Sequence, residues 1–153
     1  MSLAPLLVAV PVAAAALCVI AGHRAAGLSA IASVVTCGLG LVVAASAFTA
    51  PAERLLRGLI YVDALSGLIV LIVAVVSAIA GLYAVAYLRN ALAAEEIVEA
   101  QVPWFYMWLH LSIGAMFAVP LLSNLGLMWV AIEATTLTTA LLVAFFRHGH
   151  ALE

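Results

Sequence analysis

Lysine is absent from this chain, and its five basic residues are all arginines. Charge of either sign is scarce, at 8% of 153 residues, where soluble domains carry about 25%. A formal net charge of −2 argues against a nucleic-acid partner. Cysteine is nearly missing too. Cys18 and Cys37 both lie inside apolar runs, where they read as small hydrophobes rather than as a disulfide or metal ligands. The chain has no phosphate-binding loop, no catalytic triad and no CxxC pair.

What fills the space is apolar. Hydrophobic residues make up 69% of the chain and the mean hydropathy is +1.34. So short a chain cannot hide that many apolar side chains behind so few charges, which makes the bilayer the expected solvent. A spanning helix needs roughly 20 apolar residues. The sequence divides into about five such runs, predicted at residues 3–21, 27–48, 63–88, 104–122 and 125–146, with a polar loop at 89–103. The expected fold is therefore an all-α integral membrane protein, residues 1–153 forming a single transmembrane domain. Continuous runs argue for helices over barrel strands, which would alternate in shorter segments.

The first run is expected to be a retained helix. It has no basic residues ahead of its apolar core, and Leu17 before Cys18 spoils a lipoprotein cleavage site. With five spans, Arg24, Arg89 and Arg147 fall on one side and Arg54 and Arg57 on the other. The positive-inside rule then places the first group, with the C-terminus, in the cytoplasm. Trp104, Phe105, Tyr106 and Trp108 suit an interfacial aromatic belt, as do Tyr83 and Tyr87.

Few residues are left to carry chemistry. Glu133 follows Asn124 by nine residues, so at roughly 1.5 Å per residue it is expected near the membrane midplane. A carboxylate there costs ~3 kcal/mol on insertion scales and is tolerated where it faces protein or water. Such a group can take and release a proton. Thr136, at i+3, can offer it a hydroxyl, and Thr135, Thr138 and Thr139 make the neighbouring turns polar. His110 precedes the Ser123–Asn124 hairpin by about as much as Glu133 follows it, so the two should share a depth within ~5 Å. Spacing does not say whether they face each other. Asp63 reads as the N-cap of the third helix and Arg89 as a cation following its end. Glu95, Glu96 and Glu99 read as a solvated face. His148 and His150 form an H-x-H pair without further ligands, so no metal site is expected.

The run Asn124–Phe146 (NLGLMWVAIEATTLTTALLVAFF), with YVDALS at 61–66 and YAVAYL at 83–88, resembles the antiporter-like proton-translocating subunits of complex I and the related membrane-bound hydrogenases. The W-x-x-x-E-x-T-T-L pattern is most similar to the hydrogenase-4 component F family. The resemblance covers essentially the whole chain and is most specific around Trp129–Thr139. It implies the N-terminal part of a bundle of about fourteen helices, a proton-transfer role for Glu133, and no redox cofactor in this chain. It further implies partners among the membrane subunits of a hydrogenase or quinone reductase, in the cytoplasmic (inner) membrane. Members pair this glutamate with a lysine on a later helix. With no lysine and an end just past the fifth helix, the chain resembles an N-terminal fragment or one piece of a split subunit. A subunit of a multisubunit cation/proton antiporter and a structural membrane scaffold are the alternative readings.

Overall fold

The computed structural model describes residues 3–145; Phe146, Arg147, His148 and His150 lie outside the described residues. Five α-helices account for most of it: α1 Leu6–Ala21, α2 Ala25–Thr49, α3 Ala64–Ala93, α4 Val102–Leu121 and α5 Leu125–Ala144. Four uninterrupted helical stretches are long and apolar enough to cross a membrane, one fewer than the sequence predicts. The difference arises at the first turn. There α1 and α2 join through a single 3-10 turn, Gly22–Arg24, into one stretch of 44 residues. At ~66 Å, a straight helix of that length would be twice the hydrocarbon thickness. Gly22, at φ 54 and ψ −113, breaks it, and the two halves pack against each other. On its own, α1 has 16 residues and spans only ~24 Å.

α2 lies on α3, α1 on α4 and on α2, and α5 mainly on α4. The α2–α3 contact is a seam of small residues. Ser33, Gly40 and Ala47 on α2 meet Gly81, Ala74 and Gly67 on α3, each set spaced by seven. A Cβ built on Gly40 would lie 2.5 Å from the Cβ of Ala74, and one on Gly67 would lie 2.6 Å from that of Ala47. Without large side chains the two backbones approach closely. Packing of that kind holds apolar helices together where hydrophobicity gives no drive.

Two core clusters sit at opposite ends of the bundle. One gathers Ala4, Leu7, Val43, Val70, Phe117 and Leu121. The other gathers Cys18, Ala25, Leu88, Ile97, Phe105 and Tyr106, with Leu142 and Phe145 against it. The turn at His23–Arg24, the loop after α3 and the far end of α5 therefore share one end of the molecule.

A two-stranded hairpin closes the other end, where the sequence suggests only a polar break. Strands β1 Glu53–Leu55 and β2 Ile60–Val62 pair antiparallel, with Glu53 opposite Val62. Leu56 and Arg57 both take positive φ in the connecting loop. Ser123 fastens the hairpin to the α4–α5 turn: its hydroxyl donates to the carbonyl of Gly58 and its N–H donates to that of Leu59 at 3.0 Å. The third helix starts as expected, capped by Asp63, but runs to Ala93 instead of residue 88. Ala91, Leu92 and Ala93 are strong helix formers, and the backbone N–H groups of Ala94, Glu95 and Glu96 donate to the carbonyls of Asn90, Leu92 and Ala91.

Candidate functional site

Glu133 lies eight residues into α5, ~12 Å along a helix ~30 Å long, close to its middle. It is exposed, because α5 packs mainly on α4 and buries only Ala131 and Thr138. Among the described residues it is the one acidic side chain inside an α-helix. Its neighbours on the free face include Val130, Leu137 and Trp129, which is 67% exposed.

The threonines around it turn their hydroxyls inward. Thr135, Thr136, Thr138 and Thr139 donate to the carbonyls of Ala131, Ile132, Ala134 and Thr135 at 2.8–3.1 Å. Thr136 thus spends its proton on its own helix, and toward Glu133 it has only lone pairs to offer. This back-bonding is what makes so polar a run compatible with an apolar helix. Ser112 on α4 approaches Thr139 at 3.5 Å, a polar link between these two helices.

His110 lies eight residues into α4, also near the middle of its helix, but faces the other way. It is 0% exposed, and its Nε2 is 3.0 Å from the hydroxyl of Ser29 on α2. Ser112, two residues on and so ~200° around α4, is the one turned to α5. The structure therefore does not bring His110 and Glu133 together: shared depth, opposite faces.

Beyond the Ser29–His110 pair, the core holds further buried hydroxyls that the sequence reading left unremarked. Ser29, Ser33 and Thr36 on α2 and Ser77 on α3 are all buried, and Ser33 donates to the carbonyl of Ser29 at 2.8 Å. Three atoms in this core have no partner: His110 Nδ1, the Tyr106 hydroxyl and Thr36 Oγ1. The available signal was the spacing of Ser29, Ser33 and Thr36, which puts three hydroxyls on one helix face.

Asp63 caps α3 as predicted, accepting from the Ser66 N–H at 2.8 Å. That hydrogen bond holds its carboxyl below the usual carboxylate range. Asn124 does the same for α5, accepting from the Leu127 N–H at 3.1 Å. Arg89 departs from expectation. Because α3 continues to Ala93, Arg89 stands inside the helix, one position ahead of its final turn, and does not cap it. It lines a cavity instead.

That cavity, about 600 Å³, is the largest of those described. It opens where the α1–α2 turn, the end of α3 and the start of α4 converge. No group of three or more metal-ligating side chains occurs among the described residues. No protein-family model matches the chain, and neither does any curated protein or solved structure.

Proposed function

We propose that the chain is a multi-pass subunit of the cytoplasmic membrane that contributes part of a proton path to a larger redox-driven complex. That complex would be a complex I-like quinone reductase or a membrane-bound hydrogenase, as the resemblance implies. Electrons would pass through partner subunits, and this chain would hold the proton-transfer groups. In this reading α1 and α2 cross separately, which makes five crossings.

One observation supports the reading above the others. Among the described residues, the single carboxylate inside an α-helix stands at mid-helix, on a face that the other described elements leave exposed. Facing lipid, such a group costs several kcal/mol. Against a partner subunit or a water-filled crevice the cost falls, and the same group becomes a proton acceptor at midplane. Lone pairs of Thr136 can receive a hydrogen bond from the protonated form.

Glu133→Gln tests this in the assembled complex. Glutamine keeps the size and polarity of the side chain but carries no transferable proton. Folding and assembly should persist, while proton translocation per electron falls by about a hundredfold, the scale of losing a positioned proton-transfer group. Normal assembly with an unchanged proton-to-electron ratio would sink the relay and leave Glu133 a packing role.

A further inference from the structure

The cavity at the α1–α2 turn has an amphiphilic lining. Val19, Val85, Leu88 and Leu92 form its apolar part; His23, Arg89 and Glu99 supply its charge and polarity. Along α3 it extends from Val85 to Leu92, ~10 Å of helix rise. His23 and Arg89 stand at the loop end of the bundle with Glu99, and Val19 and Val85 lie four residues, ~6 Å, deeper on α1 and α3. That gradient is the one a lipid crosses between headgroup and upper acyl chain.

Arg89 and Glu99 both line the cavity, yet no ion pair joins them. Two opposite charges held apart on one rim match a zwitterion better than a simple anion. A free phosphate or an anionic headgroup would meet Arg89 but be repelled by Glu99. An aminophospholipid satisfies both, with phosphate at Arg89 and ammonium at Glu99. At about 600 Å³ the site takes the headgroup and the first part of the chains, within the size range of ligand pockets. From this geometry we infer that the cavity is a binding site for an aminophospholipid of the phosphatidylethanolamine type. The inference is independent of any role for Glu133.

Native mass spectrometry of the full chain tests it, with equal amounts of dioleoyl phosphatidylethanolamine and dioleoyl phosphatidylglycerol as probes. The wild type should retain the ethanolamine lipid about fivefold over the glycerol lipid, the scale of one interfacial charge contact. Arg89→Gln should lower retention of both lipids. Glu99→Gln should abolish the preference by admitting the anionic lipid. Glu96→Gln, on the same loop but outside the cavity lining, should leave the ratio unchanged. All three side chains are exposed, so these changes leave the helix core alone. Equal retention of the two lipids by the wild type overturns the inference. So does a preference that survives both Arg89→Gln and Glu99→Gln, or one for the glycerol lipid.

Discussion

At the scale of single residues, the bond between Ser29 and His110 shows what a buried polar group demands in an apolar bundle. The imidazole is fully enclosed and its second nitrogen has no partner, so Ser29 carries its entire hydrogen bonding. Removing that hydroxyl leaves a buried group unsatisfied, a penalty of about 1–3 kcal/mol. Ser29→Ala should lower thermal stability in detergent accordingly. The double change Ser29→Ala with His110→Leu should recover most of it, because replacing both partners removes the stranded group. If Ser29→Ala unfolds at the wild-type temperature, the bond contributes nothing. Residue depth was legible in the sequence: Glu133 and His110 both lie near mid-helix. Facing was not, because helices packed on opposite sides of α4 decide it, and neither partner can be read from spacing along α4 itself.

At the scale of elements, the glycines divide by what they touch. Gly40 stands against Ala74 in the α2–α3 seam, while Gly38, two residues away, has nothing within 4 Å of an added Cβ. Gly40→Ala must force the two backbones apart and should cost about 1–3 kcal/mol. Gly38→Ala meets no obstacle and should stabilise the helix by about 0.5–1 kcal/mol. Denaturation of the two variants side by side checks the contrast, and equal effects would refute the close approach. Helix existence could be read from apolar runs, and the cap at Asp63 from its place before a long apolar stretch. The extension of α3 to Ala93 could not, because Arg89 and Asn90 look like a terminus although both tolerate a helix. The hairpin at 53–62 escaped for a similar reason. Its loop carries one local signal, Gly58 at φ 88, but the hairpin is fastened by Ser123, more than 60 residues away.

For the whole molecule, the two core clusters assign the loops to ends. The turn at His23–Arg24 and the loop after α3 share one end, and the hairpin takes the other. If the helices cross a bilayer, Ala94 and Ala52 must face opposite compartments. Single cysteines at Ala94 and at Ala52, in a background with Cys18 and Cys37 replaced, should react with an impermeant maleimide from opposite sides of sealed vesicles. Labelling of both from one side would refute an odd number of crossings between them. The predominantly helical architecture was legible because the apolar runs are continuous and long, where strands would alternate in shorter segments. The number of membrane-length stretches was not, since it turns on the backbone angles of Gly22, where a 3-10 turn joins α1 to α2 without a gap.

The seven-residue spacing of the α2–α3 seam also limits how these helices can slide. Residues 33, 40 and 47 meet 81, 74 and 67, so each pair of numbers has the same sum. A slip of about one turn, four residues, would drive Gly40 against Val70 and Ala47 against Asp63, leaving only Ser33, now opposite Ser77, in a small-to-small contact. A slip of seven residues, ~10 Å, would re-form two of the three, setting Ser33 against Ala74 and Gly40 against Gly67. The seam is therefore a ruler with widely spaced marks, and by itself it does not choose among them. The choice falls to the connection between the helices, where Ser123 grips the hairpin and fixes how far α3 can travel.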